Sequence, residues 1–385
     1  MKVLIAQIPM PENRFLIDLN SEIGKTFEIH HSSDDFWNMQ GEFDVVHLHF
    51  PEHLTFEVEA AYFQGLERGP QHGLQDSLIA AVEVRLKYWA DRAKLVVTRH
   101  VLLPHDAVSD PQWEKMYETF YRYCDGVAHF AHASIAEFRQ RYARTDWYRE
   151  HEPLQVVIPH QNYATLPNEI TRDEARRRLG ISLKAQVLLV FGAIRSGDTE
   201  RNLILSAFQH ARVPRKVLLV SRWREKLAKV RWIRLKYWLR DLTRLFYRLH
   251  PSYCFNYSFV SEADAQIYLN AADVMLIPRL KVLNSGNITL GLTFGKVVVG
   301  PDSWDVGELL KETGNPTFDP DHPETAAAAV EAGFKLAREG IIGPRNQQRA
   351  LAEWSAAQCA EKYVHLYHSV TGRAAVGAAD VVSAD

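Results

Sequence analysis

The feature that most constrains this chain is a repeated change of hydrophobic period. Short β-branched and aliphatic runs at Lys2 to Ile8, Phe43 to His49, Lys94 to Thr98, Gly126 to Phe130 and Leu154 to Ile158 alternate with longer stretches of helical spacing. Near-continuous apolar runs of this length read as strands buried on both faces, and strands separated by helices pair in parallel. The pattern restarts at Gln186 to Phe191 and continues through Lys216 to Val220, Asp273 to Ile277 and Lys296 to Gly300. Two doubly wound α/β domains follow. A length of 385 residues agrees, because it exceeds what one hydrophobic core usually serves.

Thr171, followed by Glu174 and then Gly180, marks a capped helix where the pattern restarts, and a hinge is placed at about residues 160 to 185. The expected division is a first Rossmann-like domain over 1–165, a second over 166–350 and a last helix over 351–370. Residues 371–385, mostly Ala, Val, Gly and Asp without period, read as a disordered tail.

A balance of 45 basic and 47 acidic side chains offers no overall attraction for nucleic acid, and no partner of that class is expected. The first apolar run is too short for a signal peptide, and none approaches the roughly 20 residues that span a bilayer. Cys124, Cys254 and Cys359 lie far apart with no metal or redox spacing, which fits buried thiols in a reducing compartment. A cytoplasmic location is expected.

Ligands of open parallel sheets collect beyond the carboxyl ends of the strands. Two loops there are unusual. After the strand ending at Phe191, Gly192 lets backbone approach a ligand and Arg195 offers a forked cation suited to phosphate. Asn284-Ser285-Gly286-Asn287 opens an apolar helix, whose unpaired amides suit a diphosphate; alternatively Ser285 or Asn284 is an ordinary N-cap. In the first half, His47 and His49 share one strand face just before Pro51 and Glu52, and a second group runs from Thr98 through His100 to His105 and Asp106. The His-x-His pair has no third ligand of matching spacing, so no metal and no cofactor are expected.

From Ser221 to His250 there is neither Pro nor Gly, and Trp223, Leu227, Val230, Ile233, Tyr237, Trp238, Leu242, Leu245 and Leu249 recur at helical spacing. Ten cations between Arg222 and Arg248 face only Glu225 and Asp241. Such a helix suits an anionic membrane surface on the inner face of the plasma membrane; the alternative is a solvated helix whose stripe packs on its own domain.

The segment Phe259 to Arg279, with Leu283 to Gly286, Phe294 to Val299 and Phe318 to Glu324, resembles the donor region of GT-B glycosyltransferases of the large family 4-like group. The resemblance extends over nearly the whole chain and is strongest from Val187 to about Glu331. The Asn-Ser-Gly form of the loop is similar to a subgroup that makes bacterial exopolysaccharides and includes the xanthan β-mannosyltransferase.

This resemblance implies two Rossmann-like, doubly wound domains facing a central cleft, with the Trp354-containing helix crossing back to the first. It implies a metal-independent hexosyltransferase that takes a GDP- or UDP-sugar donor in the second domain and a saccharide or glycolipid acceptor, His47 and His49 lining the acceptor side. Arg195 and the amides around Ser285, Gly286 and Asn287 would hold the diphosphate, with Arg201 or Arg222 as a second cation. The Tyr257 to Ser261 loop, including Phe259 and Val260, would cup the base. Glu52, His100, His105 and Asp106 are candidates to take the acceptor's proton in an inverting reaction, although His100 could instead fix a loop. Retaining members usually carry two glutamates eight residues apart here, where this chain has Val282 and Leu290. The anomeric outcome therefore stays open. A non-catalytic nucleotide-sugar-binding subunit and a GT-B-fold sugar-nucleotide epimerase remain as alternatives.

Overall fold

The computed structural model describes residues 1–104, 110–194, 198–223, 242 and 244–373. The chain divides into two compact units, one of Met1–Gln161 with the segment from Ala356, the other of Asn162–Ser355.

In the first unit β1 (Lys2–Ile5), β2 (Glu28–His31), β3 (Val45–Leu48), β4 (Lys94–Thr98), β5 (Gly126–His129) and β6 (Leu154–Val157) form one parallel sheet in the order β2-β1-β3-β4-β5-β6. Alternation sends Leu4, Val46, Leu95 and Val97 into one core and Val3, Ile5, Val45 and Val96 into another on the opposite face. The helices are α1 (Arg14–Ile23), α2 (Ser33–Asn38), α3 (Phe56–Arg68), α4 (Asp76–Ala90), α5 (Pro111–Arg122), α6 (His132–Tyr142) and α7 (Asp146–Glu150). The side chains of Asn13, Ser32, Thr55 and Asp110 accept from first-turn amides, which fixes where α1, α2, α3 and α5 begin. Strand β2 was not expected: Glu28-Ile29-His30-His31 is a mostly exposed edge with one apolar residue, so its sequence lacks the buried-strand signal.

In the second unit β7 (Gln186–Val190), β8 (Lys216–Val220), β9 (Tyr253–Phe255), β10 (Val274–Leu276), β11 (Val297–Pro301) and β12 (Thr317–Phe318) run parallel in the order β12-β11-β10-β7-β8-β9. Its helices are α8 (Arg172–Arg178), α9 (Asp198–His210), α10 (Glu262–Ala271), α11 (Gly286–Thr293), α12 (Trp304–Glu312), α13 (Ala326–Glu339) and α14 (Ile342–Glu353). Helix α11 lies tight against the sheet because of Gly291. A Cβ there would stand 2.7 Å from Val298 Cγ2 and 3.1 Å from Met275 Sδ, so the glycine sets how closely the helix approaches. No helix among the described residues is long and apolar enough to cross a membrane.

The last helix, α15 (Ala356–Thr371), packs with α1 against the first sheet through Cys359, Ala360, Tyr363, Leu366 and Tyr367. A buried polar chain fixes it there. His47 Nδ1 lies 2.6 Å from Tyr367 Oη, His47 Nε2 lies 2.8 Å from Thr98 Oγ1, and Thr98 Oγ1 lies 2.9 Å from Tyr363 Oη. Burial keeps His47 neutral and pushes its pKa down to about 3.

Burial likewise lowers His160 to about 4 and holds His49, His100 and His129 well below their ordinary value. All five stay neutral in the fold but take up protons when the chain unfolds below about pH 6.5. The unfolded state then binds more protons, so stability present above pH 6.5 is lost as pH falls toward 4, at about 1.4 kcal/mol per pH unit for each histidine. Urea midpoints should drop steeply from pH 6.5 to 4.5. A midpoint constant over that range contradicts the buried neutral histidines.

Candidate functional site

Each sheet reverses its strand order once, between β1 and β3 in the first unit and between β7 and β10 in the second. Crevices at such points, beyond the carboxyl ends of the strands, are where α/β sheets bind ligands.

In the second unit a chain of hydrogen bonds ties four strand ends together. Asn287 Nδ2, in the first turn of α11, donates to Phe191 O at 2.9 Å after β7. Gly192 N–H donates to Ser221 Oγ at 2.8 Å after β8. Asn256 Nδ2, after β9, donates to Ser221 O at 2.9 Å and to Ser258 O at 3.0 Å. Gly192 sits at φ +89°, a left-handed conformation that favours glycine.

Ser285 occupies the N-cap position of α11 with extended backbone, yet its side chain makes no capping bond. Its residue is only 5% exposed, and its Oγ has no hydrogen-bond partner among the described residues. Of the first-turn amides beside this buried orphan hydroxyl, Ile288 N–H donates to Ser285 O at 3.0 Å, while those of Gly286 and Asn287 precede any intrahelical acceptor, an arrangement chemically suited to an anion. The neighbouring Asn284 is half-buried. Val282 and Leu290 are both buried in the apolar core under this loop.

Arg279, just after β10, faces the buried Glu200 of α9, Nε to Oε1 3.6 Å, and is a cation at the switch point that sequence reasoning did not single out. Its signal was available, since Pro278-Arg279 ends a strand between two glycine-bearing loops. Arg201 lies on the first turn of α9, paired with Asp198. Phe259 is 64% exposed, with the Arg222 guanidinium 6.0 Å from its ring centroid, and Val260 follows it. Arg195 lies outside the described residues.

In the first unit Ile5 pairs with His47, and two residues further on each strand stand Gln7 and His49. Gln7 is fully buried, and neither atom of its amide has a partner among the described residues; His49 Nε2 is likewise buried and unpartnered. His49 Nδ1 lies 3.2 Å from His100 Nε2. One of these nitrogens carries the hydrogen, so the tautomer of His100 decides whether His49 Nε2 is a free donor or a free acceptor. His100 stacks on Phe50 at 4.1 Å and meets Phe15 edge-on at 5.1 Å. Glu52, in the short 3-10 turn Pro51–His53, is buried with Oε2 accepting from Tyr117 Oη at 2.7 Å.

The structure therefore brings His49 and His100 together, seats Glu52 in the short turn that follows His49, and engages both ring nitrogens of His47, Nδ1 with Tyr367 of α15 and Nε2 with Thr98 of β4. His105 and Asp106 lie outside the described residues. Gln7 went unnoticed in sequence because a single polar residue ending an apolar run carries no motif.

Most of the basic segment 222–248 also lies outside the described residues. Its first apolar position is not on a helix. Trp223 N–H bonds Asn256 O at 2.7 Å, and the buried ring stacks on Phe255 at 4.4 Å. Residues 244–249 are helical, with Tyr247 packed on Phe255 and Leu245, Phe246 and Leu249 exposed.

No family model and no curated protein matches the chain. Solved structures do. Anabaena HepE in complex with UDP-glucose aligns over 96% of this chain and 100% of its own at TM-score 0.64 and 15% identity. Sucrose-phosphate synthase from Thermosynechococcus elongatus aligns over 94% and 81% at TM-score 0.61 and 13% identity. A glycosyltransferase from Rickettsia africae aligns over 96% and 98% at TM-score 0.58 and 12% identity. The fold is GT-B, two parallel six-stranded sheets each flanked by helices.

Ser285→Ala tests whether the orphan hydroxyl is structural. Removing an unpartnered buried hydroxyl should leave stability unchanged within about 0.5 kcal/mol or raise it, whereas loss of a hidden structural bond would cost about 1–3 kcal/mol. Urea unfolding separates the two.

Proposed function

We propose that this protein is a glycosyltransferase that moves a hexose from a UDP- or GDP-sugar to a saccharide or glycolipid acceptor, in the synthesis of a bacterial surface polysaccharide or glycolipid. The observation that carries the reading is the orphan Ser285 hydroxyl at the start of α11, beside Gly192 at the switch point of the second sheet. The UDP-glucose bound to HepE, a protein of the same fold, supports it.

In this reading the α11 amides and the Ser285 hydroxyl receive the diphosphate, with Arg279 and, from the sequence after Gly192, Arg195 as the cations. Asn287 acts indirectly, because its amide holds the β7 loop. Phe259 offers an exposed ring to the base. As the glycosidic bond to the diphosphate breaks, the acceptor oxygen bonds the anomeric carbon and gives up its proton. Glu52, His100, His105 and Asp106 are the candidates to receive it, and Gln7 and His49 would orient hydroxyls by hydrogen bonding. The helix-start amides and arginines, not a metal ion, carry the charge of the leaving group.

Thermal shift against UDP-, GDP- and TDP-sugars, followed by assay of sugar release, tests this. A UDP- or GDP-sugar should raise the melting temperature and slowly yield free sugar without an acceptor. Binding without any release identifies a non-catalytic binding subunit, and conversion to an isomeric sugar nucleotide identifies an epimerase. Replacing one of the four base candidates should lower turnover by roughly 10²-fold or more with donor affinity kept. Turnover within a few-fold in all four ends that assignment.

We also infer that the basic segment 222–248 rests on an anionic membrane surface, where a lipid-linked acceptor resides. Exposed Leu245, Phe246 and Leu249 beside Arg244 and Arg248 support it, since an apolar surface edged by cations fits a bilayer interface. The protein should cosediment with anionic vesicles at low salt and dissociate as salt rises. Replacing Arg231, Arg234, Lys236 and Arg240 by Gln should release it without changing donor affinity. Wild-type protein left wholly in the supernatant refutes the membrane site.

A further inference from the structure

The other end of the second sheet carries a feature that the proposed reaction does not use. At the amino ends of β7, β8, β10 and β11 lies a cavity of about 550 Å³, within the size range of small-ligand sites. Its ionisable lining consists of Arg172, Lys184, Arg215, Lys296 and Arg338 against one carboxylate, Asp273.

That carboxylate is already spent. Asp273 Oδ1 accepts from Arg172 Nη2 at 3.1 Å, and Oδ2 accepts from Arg176 Nη2 at 2.7 Å and from Val187 N–H at 2.8 Å. Lys296, by contrast, is half-buried, and its ammonium has no hydrogen bond or ion pair among the described residues. Burial lowers its pKa to about 8, and the charges of Arg172 and Arg176 push the same way while Asp273 opposes them. A cation left short of counter-charge in such a place is stabilised by an incoming anion.

The rim is fixed in advance. Arg338 Nη1 donates to Gln186 Oε1 at 2.6 Å, and Gln186 Nε2 donates to Pro214 O at 3.0 Å, just before Arg215. Lys184, Arg215 and Arg338 are exposed, so a charged solute meets cations on its way to Lys296.

We propose that this cavity binds a small soluble polyanion bearing phosphate, such as a diphosphate or a phosphorylated metabolite, at a site separate from the Gly192 and Ser285 loops. Several cations converging on one space favour a multivalent ligand, whose charges engage the inner lysine and the rim together. The proposal does not rest on the glycosyltransferase reading, because it uses only the amino-end cluster.

Titration calorimetry of the full chain with inorganic pyrophosphate, in the absence and presence of saturating UDP, tests it. Pyrophosphate should bind in both conditions. Its Kd should weaken at least tenfold in Lys296→Met and in the exposed double variant Lys184→Gln/Arg338→Gln, which guards against misfolding of the half-buried one, while UDP affinity stays within twofold of wild type. Absence of pyrophosphate binding, displacement of pyrophosphate by UDP, or equal affinity in wild type and both variants overturns the proposal. If neither UDP nor GDP binds, the glycosyltransferase reading fails, but the two variants still decide the fate of this site.

Discussion

Everything chemical in this protein follows from sheets buried on both faces. A parallel strand such as Leu188 to Val190 or Val45 to Leu48 must place apolar side chains above and below, and its backbone groups are consumed by neighbouring strands. Polar function is thereby driven to the strand ends. The reversals of strand order then select which ends, because only there do the connections diverge to opposite faces and leave a crevice.

What the crevice presents depends on local devices that hold loops against entropy. Asn287, Gly192, Ser221 and Asn256 form one hydrogen-bonded relay across the ends of β10, β7, β8 and β9, and Gly291 seats α11 so that its first turn reaches that relay. The first unit uses a different device. There the His47 chain to Tyr367 and Thr98 joins the sheet to α15, and the rings of Phe15, Phe50 and Phe130 enclose His100. Burial of so many imidazoles is tolerable only because each stays neutral.

The architecture was legible because buried parallel strands write themselves as apolar runs, and the expected runs contain β1, β3 to β8 and β10 and all of β11 but its last residue, Pro301. The exposed edge β2 and the three-residue β9 carried no such signal. Residue roles were harder to read, for reasons that are specific in each case. Ser285 looks the same in sequence whether or not its hydroxyl caps the helix, and only the geometry leaves it unpartnered. His47 and His49 share a strand face, but a helix more than 300 residues later claims the first and not the second. Trp223 fits a helical period by coincidence, since its ring belongs to the core beside Phe255. The orphaned amide of Gln7 is a property of what surrounds it, which no local pattern encodes.

The short strand β10 shows how the second unit separates its charges. At its amino end Asp273 gathers Arg172 and Arg176 and the Val187 amide; at its carboxyl end Arg279 faces Glu200. Between them Val274, Met275 and Leu276 are fully apolar and buried, and Val282 and Leu290 continue that apolar environment beneath the loop that follows. A carboxylate at either of those two positions would lie in the core and require a partner of its own. With them apolar, neither position carries a carboxylate, and Arg279 pairs with the buried Glu200 at this end. The same apolar core separates the cations around Asp273 at the amino end from Arg279 and the start of α11 at the carboxyl end.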